Sequence, residues 1–205
     1  MTARATVGES AKSARTRQRI LDAAASVLAR QGYAGTRLVD IAAIAGVRAP
    51  AVYYYFDSRE RLVEEVVTAG MVRNLDHVRA AIDALPADTS AMDRICTAVE
   101  AHLHVVLRVS DYTIAAVRNT SQLPPDLRER HLAEQQGYTD LWRALFEAAR
   151  EVGEIHPALD PRAARMLVLG ALNWACEWWD PEQGSLGSVV RTARTLVRRG
   201  LSGAA

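Results

Sequence analysis

Residues 38–56, "LVDIAAIAGVRAPAVYYYF", decide the fold. They hold two short helix-forming stretches, about 38–45 and 49–56, on either side of a turn that contains Gly46. A longer stretch with helical period, "RQRILDAAASVLARQG" at residues 17–32, precedes them. Two short helices joined by a tight glycine-containing turn, behind a longer first helix, predict a helix-turn-helix. An ordinary helical hairpin is the alternative.

Three consecutive tyrosines lie at the end of this stretch, and a helical wheel gives them different directions. At about 100° per residue, Val52 and Phe56 lie together as an apolar edge that can be buried. Tyr54 points away from that edge, and Tyr53 and Tyr55 project to its two sides. A helix in the major groove needs one edge held by the protein, one edge over the bases, and flanking donors that reach phosphates. The three tyrosines fit this distribution.

Positive charge is concentrated near the N-terminus. Residues 1–61 contain ten Lys or Arg against five Asp or Glu, whereas the whole chain has a net charge of only +1. A basic segment of this kind is typical of a surface that meets phosphate, with a solvated face as the alternative. Residues 1–16 are predicted to be a flexible basic arm that reaches DNA or, equally, a solubilising tail. Its basic residues and those just after it are Arg4, Lys12, Arg15, Arg17 and Arg19.

The rest of the chain also has helical period. No alternating strand pattern competes with it. The sequence predicts an all-α protein of about nine helices, with a domain change near residues 57–62, where the net charge switches sign. Beyond that change, helices are expected at about 58–85, 89–109, 111–119, 125–152, 161–180 and 186–201, with breaks at proline- and glycine-containing stretches.

Residues 17–62 resemble the DNA-binding domain of the TetR family of transcriptional repressors. The matching stretches are "RILDAAASVLARQGY", "DIAAIAGV" and "VYYYFDSRERL", in the family's order and spacing. The resemblance implies a helix-turn-helix DNA-binding domain at residues 17–61 and a larger helical effector-binding and dimerisation domain at residues 62–205. It also implies a homodimer that binds a palindromic operator in double-stranded DNA and is controlled by a small effector.

The resemblance assigns the DNA contacts as well. It implies phosphate contacts for Tyr53, Tyr55 and Arg59, and it places Tyr54 over the groove. In the family the start of the second short helix reads base edges, and there Arg48 alone has the bidentate fork suited to guanine. The full set of expected contacts is Thr36, Arg37, Arg48, Ala49, Pro50, Tyr53, Tyr54, Tyr55 and Arg59.

Two positions depart from the family's pattern. The family commonly has Ser or Thr where Arg37 stands, with Thr36 one residue earlier, and it commonly has Ser where Arg48 stands. Each change replaces a helix cap by a cation, which weakens the helix start and attracts phosphate. The sequence leaves open which of Thr36 and Arg37 caps the helix and which binds phosphate.

The larger domain contains a helix that is apolar nearly all round, "RMLVLGALNWACEWW" at residues 165–179. Core on one side and a partner subunit on the other would explain this pattern. The expected dimer contacts are Trp178, Trp179, Val190 and Arg194. Polar or aromatic residues within apolar helices can line a pocket, although each alone is more often a satisfied core residue. The expected effector contacts are His102, Tyr112, Asn119, Trp142, Asn173 and Trp174.

A second resemblance concerns the nature of the effector. The segment "GALNWACEWWDPEQGSL", residues 170–186, is similar to a TetR branch that governs fatty-acid or steroid-ring catabolism and responds to acyl-CoA thioesters. This resemblance covers about forty residues around the segment. It suggests a small hydrophobic effector such as an acyl-CoA.

Other functions find no support in the sequence. The five histidines do not form a metal-binding spacing, and no phosphate-binding glycine loop, nucleophile elbow or CxxC motif occurs. An enzyme, a metal site or a bound cofactor is therefore not expected. The longest apolar runs are shorter than the roughly 20 residues of a membrane helix, and a secretory signal is lacking, so a cytoplasmic protein without a membrane partner is expected. The alternative function is a helical ligand-binding or adaptor protein without DNA binding.

Overall fold

Ten α-helices build the structure, a computed structural model that describes residues 3–109, 111–119 and 122–202. For residues 3–10, 109 and 130–134 it describes the backbone alone. Within these ranges no residue lies in a strand, and the predicted all-α fold is confirmed. The helices are α1 (Ala3–Gly35), α2 (Leu38–Ala45), α3 (Ala49–Tyr55), α4 (Arg59–Asp83), α5 (Ala91–His104), α6 (Asp111–Asn119), α7 (Pro125–Glu134), α8 (Gln136–Glu151), α9 (Pro161–Trp178) and α10 (Leu186–Ser202).

Two helices of the larger domain differ from the sequence prediction. The single helix expected at 125–152 is in fact two, α7 and α8, which are separated at Gln135. No proline marks this break, so periodicity alone does not reveal it. The helix expected at 89–109 ends as a regular α-helix at His104 and continues as a π-helical turn, Val105–Val109.

The first helix is longer than the sequence indicates. It begins at Ala3, so residues 3–16 of the predicted arm are helical in the structure. The side chain of Arg4 lies outside the described residues. Near the other end, Gly32 has a φ of 70°, and the helical geometry is interrupted there before the last residues of α1.

One core holds the first four helices together. Ile20 of α1, Ile41 of α2, Val52 of α3 and Leu62 of α4 are all fully buried. Gly46 ends α2 in the left-handed region, with a φ of 63°, which favours glycine because it has no Cβ. The sharp turn at this glycine sets α3 across the core, so the helix-turn-helix forms as predicted.

Helix α6 lies between α1 and α4 and connects the two parts of the molecule. On one side, a Cβ at Gly70 of α4 would lie 2.7 Å from the carbonyl carbon of Tyr112 in α6, so the two backbones touch. On the other side, the Tyr112 hydroxyl donates to Asp22 of α1 at 2.7 Å. The Asn119 amide donates to the carbonyl of Leu28, also in α1, at 3.2 Å. Helix α6 therefore connects α4 directly to α1.

Among the helices of the described ranges, none has both the length and the apolar character needed to cross a membrane.

Candidate DNA-binding surface and effector cavity

The outward edge of α3 is formed by tyrosines. Tyr53 is 59% exposed and Tyr54 is 81% exposed, whereas Val52 and Phe56 on the opposite edge are buried. Tyr55 is half-buried and packs against the core, and its ring meets Tyr54 edge-on with the centroids 5.1 Å apart. Because the buried edge fixes the helix, the two exposed rings are presented outward from a rigid support.

The start of α3 adds a cation to this surface. Arg48 is the N-cap residue and is exposed, and its side chain makes no hydrogen bond or ion pair with other described residues. Ala49 and Pro50 occupy the first two helical positions, where proline is tolerated because the N–H it lacks has no partner within the helix. The small side chains of these two residues leave the Arg48 guanidinium free to reach past them.

Thr36 and Arg37 lie in different environments, and neither side chain caps α2. Arg37 is the N-cap residue of α2, but its exposed side chain makes no capping hydrogen bond. Thr36 is only 2% exposed, and its hydroxyl donates to the carbonyl of Gly32 at 2.7 Å. The Thr36 side chain is therefore held at the end of α1, and the DNA contact expected at Thr36 stays a prediction.

Arg59 also has an internal partner that the sequence did not indicate. Its guanidinium donates to the carbonyl of Tyr33 and lies 4.3 Å from the centroid of the Tyr33 ring. Its Nε is buried. These contacts tie the start of α4 to the end of α1, and the phosphate contact expected at Arg59 stays a prediction.

Two cations near the predicted arm serve the same packing. Arg17 forms an ion pair with Glu65 and lies 4.7 Å from the centroid of the Phe56 ring. Arg19 donates to the carbonyl of Ala45, which is one of the last acceptors of α2. Both side chains therefore hold the helix-turn-helix to α1 and α4.

A cavity of about 280 Å³ opens among α4, α6, α8 and α9. Its lining is mixed: methionine, leucine and valine side chains cover part of the wall, and amide, hydroxyl and guanidinium groups cover the rest. The lining residues that bear on function are Met71, Asn74, Tyr138, Arg165, Leu169 and Asn173. A concave, partly apolar site with a few placed polar groups is the usual form of a small-molecule site.

A buried polar network lies behind the cavity wall. The Tyr138 hydroxyl lies 2.5 Å from Nδ1 of the fully buried His102, and the rings of Tyr138 and Trp142 pack edge to face. Burial lowers the pKa of His102 to about 4, and hydrogen bonding to Asn173 opposes that shift. Burial raises the pKa of Tyr138, and the N–H groups of Trp142 and Asn74 oppose that rise. Both rings are therefore neutral at physiological pH.

The expected effector contacts separate into two groups. Asn173 lines the cavity, and His102 and Trp142 lie directly behind it. Tyr112 and Asn119 instead bind α1, as described above, and Trp174 is 65% exposed on the outer side of α9. Tyr112, Asn119 and Trp174 do not line this cavity, and their expected effector contacts stay predictions.

Asn74 and Arg165 are among the cavity residues that the sequence prediction missed. Asn74 is fully buried on the stripe of α4 that also carries Met71 and Val78. Arg165 is half-buried, and its Nε is buried without a hydrogen bond among the described residues. An asparagine within an apolar stripe was the available signal for Asn74; Arg165, in the first turns of α9, had none.

The exposed face of α9 differs from the predicted dimer contacts. Val190 is buried, Trp179 donates its ring N–H to the carbonyl of Gly184 at 3.1 Å, and Arg194 pairs with Glu100 at 2.5 Å. Partners within the subunit do not exclude a contact with a second subunit, so these three dimer contacts stay predictions. Trp178 remains exposed. The large apolar side chains exposed on α9 and α10 are Met166, Leu167, Trp174, Trp178 and Leu196.

Within the described ranges, no group of three or more His, Cys, Asp or Glu residues has an arrangement that could hold a metal ion.

A helix-turn-helix with an outward recognition helix, joined by one long helix to a helical domain with an internal cavity, defines a ligand-responsive DNA-binding regulator. Residues 20–66 match the family model for "Bacterial regulatory proteins, tetR family". Residues 88–201 match the model for "Tetracyclin repressor-like, C-terminal domain", which spans more than half of the chain. The chain therefore belongs to the TetR family of transcriptional regulators, as the sequence resemblance indicated, and it is not an enzyme.

Individual relatives agree with this assignment. The HTH-type transcriptional repressor KstR2 of Rhodococcus jostii (strain RHA1) is 27% identical over 201 residues, which cover 94% of each chain. Two solved structures share the fold at 22% identity. One is AibR in complex with isovaleryl coenzyme A and operator DNA (TM-score 0.79; 91% of this chain and 98% of that chain). The other is FadR from Bacillus subtilis in complex with stearoyl-CoA (TM-score 0.73; 90% and 98%).

Proposed function

We propose that this TetR-family repressor meets its palindromic operator through the outward edge of α3, with one α3 of the homodimer in each major groove. The exposure of Tyr53 and Tyr54 on a helix whose opposite edge is buried carries the proposal. The buried edge holds the helix while the exposed edge reaches bases and phosphates. Two-fold symmetry requires half-sites about one helical turn (roughly 34 Å) apart or a little more.

Each exposed group then has its own task. Tyr53 donates to a phosphate, Tyr54 lies over the base edges, and Tyr55 supports Tyr54 from the side while its hydroxyl reaches the backbone. The Arg48 guanidinium has no partner among the described residues and offers the planar fork that pairs with guanine. Arg37, exposed at the start of α2, adds attraction for phosphate. The protein works in the cytoplasm, where its operator is.

The second subunit covers the apolar face of α9 and α10. Leu167, Trp174 and Trp178 follow one another along a single stripe of α9, and all three are exposed in the isolated subunit. Leu196 of α10 extends this stripe. Exposed tryptophans at the centre of an apolar patch are typical anchors of an interface. Pairing of two such faces removes them from water.

The effector in this proposal is an acyl-CoA thioester whose acyl part occupies the cavity. Two proteins with the same fold hold such thioesters. The cavity supplies apolar wall for an acyl group and a guanidinium, Arg165, for the anionic part of the ligand. Its volume of about 280 Å³ equals roughly nine water-sized groups at about 30 Å³ each. The acyl part fits inside, and the nucleotide part of coenzyme A lies outside.

The cavity and the DNA-binding surface share α4. Met71 and Asn74 of this helix line the cavity, and its first residue, Arg59, is tied to the end of α1. Arg118 of α6 adds a second connection, because it donates to the carbonyls of Ala29 in α1 and Cys176 in α9 at 3.0 and 2.7 Å. An effector that prefers one tilt of α4 changes the separation of the two recognition helices and so the affinity for the operator.

Gel shifts with DNA from upstream of the protein's own gene test the DNA-binding surface. Wild-type protein is expected to retard this DNA, and Tyr53→Ala is expected to weaken binding at least about tenfold because each half-site loses a phosphate contact. Arg79→Ala, which removes an exposed cation far along α4, is the control and keeps wild-type binding. No binding by wild-type protein would favour the adaptor function instead, and unchanged binding by Tyr53→Ala would exclude the proposed surface.

Thermal unfolding with a panel of acyl-CoA esters tests the effector class. A ligand that binds only the folded protein must raise the melting temperature. We expect at least one ester to raise it and free coenzyme A to raise it much less, because the acyl part fills the cavity. Equal effects of all esters and of free coenzyme A would contradict the assignment.

A further inference from the structure

The cavity contains a buried acceptor that the protein leaves unused. Asn74 is 1% exposed, lines the cavity from α4, and its Oδ1 makes no hydrogen bond among the described residues. An amide oxygen removed from water without a partner costs free energy, and such groups are rare in native interiors. The oxygen is therefore suited to a ligand that brings its own donor.

The neighbouring network shows which end of the Asn74 amide is free. Tyr138 and His102 share a short hydrogen bond at Nδ1. The other ring nitrogen of His102, Nε2, is buried and makes no hydrogen bond of good geometry among the described residues. Hydrogen bonding by Asn74 opposes the rise in the pKa of Tyr138, which is the effect of an amide N–H turned toward the phenol. The oxygen is the end of the Asn74 amide that is buried without a partner among the described residues.

We infer that the acyl group of the effector carries a hydroxyl that donates a hydrogen bond to Oδ1 of Asn74, so that the site selects an oxygenated acyl chain over a plain alkyl chain. This inference rests on the proposed effector class. A plain chain of the same length would fill the space and seal the Asn74 oxygen from water without replacing its hydrogen bond. Sites built to bind a hydroxyl reject the analogue that lacks it for this reason.

A second source of the same chemistry is the pantetheine amide of coenzyme A, which also has a donor. The size of the cavity argues against it. The cavity has room for about nine water-sized groups, and a medium-length acyl chain fills that volume. The pantetheine arm follows the acyl part and therefore lies toward the outside. Asn74 is almost inaccessible to solvent, so it meets the enclosed part of the ligand.

Titration calorimetry of the full-length dimer with a matched ligand series tests the inference. The series is octanoyl-CoA and its isomers with one hydroxyl at carbon 5, 6, 7 or 8. We expect at least one isomer to bind about tenfold or more tightly than octanoyl-CoA. In Asn74→Leu, which keeps the branched shape of the side chain but has no acceptor, the ratio between the affinities for the preferred isomer and for octanoyl-CoA is expected to fall to about one. Thr139→Val, which alters another polar residue of the lining, is the control and keeps the preference.

The outcomes separate the inference from the proposed function. If no ester binds, the acyl-CoA proposal fails and the inference fails with it. If the esters bind but no hydroxylated isomer binds more tightly than octanoyl-CoA to wild-type protein, the inference alone is overturned. This comparison needs no variant, so it holds even if Asn74→Leu does not fold. If Asn74→Leu weakens all esters equally, Asn74 binds the pantetheine amide and the hydroxyl is excluded.

Discussion

The DNA-binding region and the effector cavity place their functional side chains in opposite ways. The proposed DNA contacts lie almost consecutively on one short helix, between Arg48 and Tyr55, and the foremost of them are exposed. The cavity and its network draw on α4, α5, α8 and α9, whose contributing residues are far apart in sequence and mostly buried. A surface that meets an extended partner can be built from residues that are adjacent in sequence, whereas a cavity needs walls from several helices.

This difference has an energetic consequence. Substituting an exposed tyrosine on α3 removes few contacts within the protein, so stability and DNA binding are separable there. In the larger region the same side chains that meet the ligand also hold the core, so stability and binding change together. Variants of the two regions are therefore expected to behave differently.

Gly70→Val is expected to have the largest effect on stability because it disrupts the close contact between α4 and α6. The new side chain would overlap the backbone of Tyr112, which cannot move aside as a flexible side chain can. We expect a loss of about 3 kcal/mol or more in the free energy of unfolding, measured by denaturant titration. Gly200→Ala, where a Cβ meets nothing within 4 Å, is the control. Wild-type stability of Gly70→Val would mean that α4 and α6 are not in close contact.

The pH dependence of stability probes the buried network. The pKa of His102 is lowered to about 4 in the folded protein, against about 6.5 when unfolded. The unfolded chain therefore binds the extra proton first, and the free energy of unfolding falls as pH drops from about 6.5 to 4. The total from this residue is up to about 3 kcal/mol. His102→Gln is expected to flatten this slope, with exposed His77→Gln as control; equal slopes in all three proteins would contradict a buried neutral imidazole.

Trp178→Ala tests whether the apolar face of α9 joins the two subunits. Truncating a central interface tryptophan typically costs about 2 kcal/mol or more, and each dimer contains two copies. The dimer dissociation constant from sedimentation equilibrium is expected to rise accordingly. Val152→Ala removes an exposed apolar side chain at the end of α8 and should leave the constant unchanged. A dimer that tolerates the tryptophan substitution must use another face.

The smallest expected effects are on α3, and they differ in kind. Tyr53→Phe removes one phosphate donor and should weaken all DNA sequences alike, by about 1 kcal/mol per half-site. Arg48→Ala should relax the choice of base at one position in each half-site, where a bidentate pair discriminates by about 1–3 kcal/mol. Selection of binding sites from random DNA for each variant measures both. A sequence-dependent effect of Tyr53→Phe, or unchanged choice with Arg48→Ala, would reverse the two assignments.

The sequence predicted the DNA-binding region well because its determinants are local. Helical period places Val52 and Phe56 on one edge and the tyrosines on the other without any tertiary information. The sequence did not indicate the internal partners of Thr36 and Arg59 on α1, because these become visible only in the folded chain. A local sequence pattern does not show that a threonine will be buried or that an arginine will stack on Tyr33.

The cavity was predicted only in part, since the same sequence signal has several meanings. His102 and Asn119 are both polar residues in apolar helices, yet one lies behind the cavity and the other binds the carbonyl of Leu28. Which neighbour each one faces depends on how α5 and α6 pack against other helices. Asn74 belongs to the apolar stripe of α4 and was not singled out for that reason.

The central claim is that occupancy of the cavity changes the affinity of α3 for DNA, and linkage tests it most directly. Fluorescence anisotropy gives the operator Kd with and without a saturating acyl-CoA ester, and calorimetry gives the ester Kd with and without operator. The account predicts that the operator Kd changes by about fivefold or more and that the ester Kd changes by the same factor, as reciprocity requires. An ester that binds while both constants stay unchanged would contradict it.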